Sequence, residues 1–207
     1  MTFAEGKGRT NQRARTQRAI VEACVGLIRQ GQPVTMPAVA KAALVSEATA
    51  YRYFPDLASL LAQALAADWP TPTEALAPVE GSTDPVERVT FATRFLLRGV
   101  AERQAVVRAM ISATIAQLDL GRARPGIRFG LIDCALAPFV DAFAAADPDL
   151  LPQLRLDLAV VVSAEALFSL TDLCGLSIDD AIESAAKTAG TLTAAAVAQL
   201  RPASREP

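Results

Sequence analysis

The chain has no histidine, only 5 % aromatic residues and just three cysteines in 207 residues, and each scarcity closes off a class of chemistry. Without imidazole there is no side chain whose ordinary pKa suits acid–base work near neutrality, and the commonest transition-metal ligand is missing. Cys24, Cys134 and Cys174 lie far apart among apolar neighbours. They form neither a metal-ligand spacing nor a disulfide frame, and read as small buried hydrophobes of a reducing compartment. No glycine-rich phosphate cradle is present, and the adjacent carboxylates Asp179 and Asp180 stand at an expected helix start, where capping explains them. An enzyme would have to work with Asp, Glu or Lys alone, so no catalytic residue, metal or cofactor is expected. Long apolar runs are also scarce: "LAVVV" at 158–162 is far shorter than the ~20 residues that cross a bilayer. The basic N-terminus is not followed by a signal-type apolar segment. A cytoplasmic protein without a membrane partner is the expectation.

What is abundant is helix-forming. Hydrophobic residues make up 52 % of the chain, alanine, leucine, glutamine and arginine dominate, and period-two alternation is poor. An all-α fold follows, long enough for one good core or for a small module and a larger one. The net charge of −2 hides an asymmetry. Residues 1–54 carry eight basic against three acidic groups, a net of +5, whereas residues 55–207 carry 12 against 19, a net of −7. One end can approach a polyanion and the other cannot.

Along the chain, residues 1–12 read as a flexible basic arm. From about Thr16 to Arg29, Ile20, Cys24, Leu27 and Ile28 recur at helical spacing until "RQGQP" ends the helix. Thr35 can cap a short helix through about Ala43, with Pro37 in its first turn and Val39 and Ala40 facing inward. The turn "LVS" follows, and Ser46 can cap a helix from Glu47 to about Phe54. Asp56 can cap the next, striped by Leu57, Leu60, Leu61, Ala64 and Leu65 and ending near Trp69. The four prolines of residues 70–85 suggest a connector. Helical patterns then cover roughly 86–100, 101–118, 126–145, 153–173 and 178–200. The expected organisation is an arm at 1–12, a helix-turn-helix domain at 13–56, a helical ligand-binding and dimerisation domain at 57–201, and a flexible tail at 202–207.

Two short helices joined by a three-residue turn match a helix-turn-helix. The second would expose Glu47, Ala48, Thr49, Tyr51, Arg52 and Tyr53, while Val45, Ala50 and Phe54 hold it to its neighbours. Arg52 has the donor geometry for guanine, Thr49 can meet a thymine methyl or a phosphate, and the hydroxyls of Tyr51 and Tyr53 can donate to phosphate oxygens. Thr35 can do the same from across the groove, Ala48 permits close approach, and Arg9, Arg13, Arg15 and Arg18 can form a basic arm. The alternatives are ordinary ones: tyrosines as spacers between helices, Arg52 as a solvated arginine, and a basic end that only solubilises.

The segment "TMPAVAKAALVSEATAYRYFPDLASLL" resembles the DNA-binding domain of the TetR family of bacterial transcriptional regulators. The resemblance spans about residues 14–66, and beyond it only length and helical texture agree. It implies Thr35, Ser46, Thr49, Tyr51 and Tyr53 as phosphate-side contacts and Glu47, Ala48 and Arg52 as positions facing bases. Two positions depart from the family pattern. Leu44 stands where glycine is usual in the turn, which requires a conformation leucine accepts, and Leu57 stands where a lysine usually meets a phosphate.

A small reading head normally needs a symmetry mate to cover a useful site. Val161, Ile182, Ala185, Ala189, Leu192 and Ala196 are the expected homodimer residues, and the resemblance points to the same helices. It further implies a small-molecule effector held between the middle helices. Phe91, Phe95, Met110, Phe129, Phe139, Phe143 and Phe168 are the candidates, each also explicable as plain core. Glu165 is either a polar ligand contact or a partner of Arg155 or of an arginine from a second subunit. The expected function is a ligand-responsive regulator, most naturally a repressor, binding a pseudopalindromic double-stranded operator as a homodimer. The competing reading is a helical protein-interaction adaptor with a degenerate head, motivated by Leu44 and Leu57.

Overall fold

A computed structural model describes residues 5–116 and 126–200, and every regular element among them is helical. In chain order these are α1 (Glu5–Arg29), α2 (Met36–Ala42), α3 (Glu47–Tyr53), α4 (Leu57–Asp68), α5 (Pro72–Leu76), α6 (Pro85–Glu102) and α7 (Gln104–Ala116). They continue as α8 (Ile127–Leu136), α9 (Val140–Ala146), α10 (Leu150–Val161), α11 (Ala164–Asp172) and α12 (Ile178–Ala198). The chain divides into two compact units, one of Met1–Trp69 with Arg103–Pro125 and one of Pro70–Glu102 with Gly126–Pro207.

In the first unit three caps set the helix starts. The side chain of Thr35 accepts from Ala38 N at 3.2 Å, Ser46 from Thr49 N at 3.2 Å, and Asp56 from Ser59 N at 2.7 Å. Ile20, Cys24, Met36, Val39, Ala50, Phe54, Leu60 and Leu61 form the core between α1, α2, α3 and α4. Burial pushes the Cys24 thiol up to about 12, because an apolar surround disfavours the thiolate. The α4 helix packs on α1 and on α7, so it belongs with the head rather than after a boundary at residue 56. Its last residue, Asp68, has a buried carboxylate that accepts from Arg29 Nε at 2.8 Å and from Arg103 Nε at 3.1 Å.

The start of α1 differs from expectation. The helix begins at Glu5, so residues 5–12 extend it instead of forming a flexible arm. No proline interrupts 5–29, and Gly6 and Gly8 each cost only about 1 kcal/mol once the packed half from Ile20 onward has nucleated the helix. Residues 1–4 and the tail at 202–207 lie outside the described residues.

The second unit is built around α6 and α12, whose close approach is set by Gly190: a Cβ there would stand 2.9 Å from Thr90 Cγ2. Three expectations change here. Residues 70–85 are not a plain connector, because Thr71 and Glu74 form a capping box that starts α5 at Pro72, and Pro85 opens α6. The single helix expected at 126–145 is interrupted by a 3-10 turn, Ala137–Phe139, around Pro138. The one expected at 153–173 breaks at Val162 and Ser163, where the Ser163 hydroxyl caps α11 by accepting from Ala166 N at 3.0 Å.

Among the described residues one stretch, Ile127–Ala146, is long and apolar enough by length and composition to cross a membrane, contrary to the expectation that every apolar run falls far short. It carries Arg128, Asp133 and Asp141, and α8 within it packs on α5, α6 and α10. Leu131, Ile132, Ala135 and Leu136 are buried there on the face toward those helices, while most of the stretch is accessible.

Arg88 lies inside this core, 4 % exposed, and donates to four backbone carbonyls: Ala135 (2.8 Å), Val79 (2.6 Å), Glu80 (2.9 Å) and Cys134 (3.0 Å). Those carbonyls end short helical segments, where the aligned peptide dipoles are negative, so the guanidinium is stabilised without a carboxylate.

Candidate nucleic-acid interface

The turn before α3 is made by three residues, one of which has an unusual backbone. Leu44 lies in the left-handed region at φ 56°, its N–H donates to Lys41 O at 3.2 Å, and Val45 N–H donates to Ala40 O at 3.0 Å. This is the αL closure of a helix C-terminus that glycine usually supplies. The conformation that the sequence requires leucine to accept is thus the left-handed one. Leucine adopts the glycine-type geometry at a cost of roughly 1–2 kcal/mol, because its Cβ crowds the following carbonyl. Its side chain is 92 % exposed and offsets none of that cost by burial.

The turn delivers α3 with Ala50 buried beneath it and Phe54 buried at its end. Glu47, Ala48, Tyr51 and Arg52 are exposed, and Thr49 and Tyr53 are half-buried. Ser46 Oγ and Thr49 Oγ1 lie 2.9 Å apart, so one proton is shared between two hydroxyls and the second stays available to an outside acceptor. The Arg52 guanidinium stands 5.6 Å from the centre of the Tyr53 ring, a cation–π distance that directs it along the helix.

A cleft of about 530 Å³ opens between this face and α1, lined by Gln12, Arg13, Thr16, Val45, Ser46, Thr49, Arg52 and Tyr53. Of the residues expected to meet DNA it gathers Arg13, Ser46, Thr49, Arg52 and Tyr53. Thr35, Glu47, Ala48, Tyr51 and Arg15 are outside its lining, with Thr35 exposed at the cap of α2 and Arg15 exposed on α1. Gln12 and Thr16 are lining residues that sequence reasoning misses. Their spacing of four residues signals one helical face, but reading residues 1–12 as a flexible arm hides it. Among the described residues no carboxylate lines the cleft.

Residues 19–64 match the family model described as bacterial regulatory proteins, tetR family. No curated protein matches the chain, and no solved structure does. The match runs from within α1 into α4 and so covers most of the face just described. It supports a DNA-binding transcriptional regulator in general terms.

The second unit distributes its expected site residues differently. Phe143 is buried, while Phe91, Phe95, Phe129, Phe139 and Phe168 are at least partly accessible; Met110 is buried in α7 and so belongs to the other unit. Glu165 pairs with Arg128 at 3.2 Å, and Arg128 also donates to Ala159 O at 3.1 Å. Of the alternatives weighed for Glu165, Arg155 is engaged elsewhere: it makes a two-pronged bond to Asp133 (2.6 and 3.0 Å) and lies 4.4 Å from the Phe129 ring centre. Asp133, on the neighbouring helix, takes the arginine that a sequence cannot assign. A pocket of about 440 Å³ is lined by Asp133, Leu136, Val140, Leu151, Pro152, Arg155 and Leu156, and none of the eight expected ligand residues lines it.

Ile182, Ala185, Ala189 and Ala196 are buried within the chain, on the side of α12 that packs against its own core. Val161 and Leu192 are half-buried. The outward apolar stripe is instead Pro152, Leu156 and Val160, four residues apart on α10 and all exposed. Among the described residues no group of three or more His, Cys, Asp or Glu side chains is placed to hold a metal ion.

Proposed function

We propose that this protein is a ligand-responsive transcriptional regulator whose helix-turn-helix, α2 and α3, enters the major groove of a pseudopalindromic operator. The observation that carries the reading is the coincidence of the family match at 19–64 with a cationic, hydroxyl-rich face on α3 and α1. Glu47 and Ala48 face the bases, and Thr35, Ser46, Thr49, Tyr51 and Tyr53 set the docking depth on phosphates. Two heads are joined in a homodimer by the outward face of α10 with α12. Leu156 and Val160 support that assignment, since exposed apolar side chains at helical spacing gain from burial against a second copy. A small molecule bound in the second unit selects a dimer whose heads no longer match the groove spacing, which releases the operator. Repression in the cytoplasm is the simplest outcome of such binding.

Selection of bound fragments from sheared bacterial DNA by the purified protein tests this reading. Enrichment of an inverted repeat is expected. A folded protein that enriches nothing would favour the adaptor reading, with Leu44 and Leu57 as the residues that disable the head.

A further inference from the structure

We infer that the cleft between α1 and α3 is a slot for one sugar–phosphate strand, and that Arg52 is a phosphate ligand there, paired across the slot with Arg13, instead of a reader of guanine. The inference rests on the proposed DNA-binding reading and sharpens it.

The shape of the site favours a strand. Base edges form the floor of a groove and are met by a protruding helix face, whereas the sugar–phosphate strand is the ridge of the duplex and fits a concavity. Arg52 lines the concavity, while Glu47 and Ala48 stand on the exposed face outside it. The chemistry of the walls agrees. The lining offers two guanidiniums, the Ser46–Thr49 hydroxyl pair with its spare proton, and the Gln12 amide, all able to donate to an oxyanion. Thr16 uses its own proton within α1, donating to Gln12 O at 3.0 Å, so it serves as wall. Arg52 is also held in place, and Arg13 is set by its helix. Tyr53, over which Arg52 lies at 5.6 Å, itself lines the cleft, so the cation–π contact keeps the guanidinium at the slot. Because α1 is helical from Glu5, Arg13 is presented from a regular surface as the opposite wall. Among the described residues neither Arg13 nor Arg52 is in an ion pair with a carboxylate.

The test measures association constants of the full-length protein for the enriched inverted-repeat duplex and for a scrambled duplex of the same length, over a range of salt. Wild type, Arg13→Ala, Arg52→Ala and Arg52→Lys are compared, each first checked for an unchanged melting temperature. In each alanine variant both duplexes should weaken by the same factor. The slope of log K against log salt should become shallower by about 0.9 for each phosphate no longer neutralised, hence by about 1.8 for a dimer changed in both heads. Arg52→Lys should restore the slope, since a phosphate needs only the charge.

An Arg52→Ala protein that loses its preference for the inverted repeat but keeps its affinity for the scrambled duplex would overturn the assignment in favour of guanine reading. An unchanged slope in either alanine variant would overturn the slot. A wild-type protein that binds neither duplex sinks the functional reading itself, an outcome separate from both.

Discussion

The two units differ in how many of their arginines are tied to acceptors within the chain. In the second unit Arg88 holds four carbonyls, Arg94 pairs with Glu183 at 2.8 Å, Arg128 with Glu165 and Arg155 with Asp133, so these side chains tie the chain to itself. The bonds between Arg94 and Glu183 raise the one group's pKa and lower the other's, although both are solvated and the pair adds little to stability. In the first unit Arg29 and Arg103 are engaged likewise by Asp68, but Arg13, Arg15, Arg18 and Arg52 are exposed on α1 and α3. The difference teaches where an outside partner fits: the proposed polyanion would meet exposed arginines of the head, whereas Arg88, Arg94, Arg128 and Arg155 of the second unit already have acceptors within the chain.

The comparison is broken most severely at Arg88. Arg88→Met strands four carbonyl acceptors and should cost at least about 3 kcal/mol in urea unfolding, with Arg88→Lys recovering part through its three donors. Arg52→Ala should cost less than about 0.5 kcal/mol in the same assay, because the side chain is exposed and its one ring contact is on the surface. Similar losses for the two would erase the distinction.

Next in size is the seam between α6 and α12. Gly190→Ala should destabilise by roughly 1–3 kcal/mol through the contact with Thr90 Cγ2. Thr90→Ser removes that methyl and keeps the hydroxyl, which donates to Val86 O at 2.8 Å, so the double variant should regain most of the stability. In the head, Leu44→Gly should raise stability by up to about 1 kcal/mol by relieving the left-handed leucine, offset in part by the entropy of an unfolded glycine. A drop in stability there would mean that Leu44 makes a contact its exposure denies.

The last expected effect, absent at neutral pH, concerns Cys24 above pH 9. Its thiol ionises at the ordinary value of 9.0 in the unfolded chain and at about 12 in the folded one, so its contribution is complete below pH 9 and is lost progressively as the pH rises toward 12. Cys24→Ala should flatten that part of the stability–pH curve.

The head was legible in the sequence because its signals are local. Thr35, Ser46 and Asp56 are caps three residues before the N–H they bind, and Leu57, Leu60, Leu61, Ala64 and Leu65 mark a face by spacing alone. The start of α1 was not legible, since no residue before Thr16 forbids or requires a helix. In the second unit the informative facts are pairings between distant residues. That Glu165 meets Arg128, that Arg88 reaches across to Cys134 and Ala135, and that small residues of α12 face α6 instead of outward are set by packing, which spacing along one helix does not encode. The break at Ser163 is signalled only by a cap residue within an apolar run, and the run conceals it.

The most direct test of the central claim is the salt dependence of duplex binding by the intact wild-type protein. Several phosphate contacts from two heads predict a steep fall of log K with log salt, with a slope of several units. An affinity that is weak and nearly independent of salt, as expected of any acidic helical protein, would contradict the account.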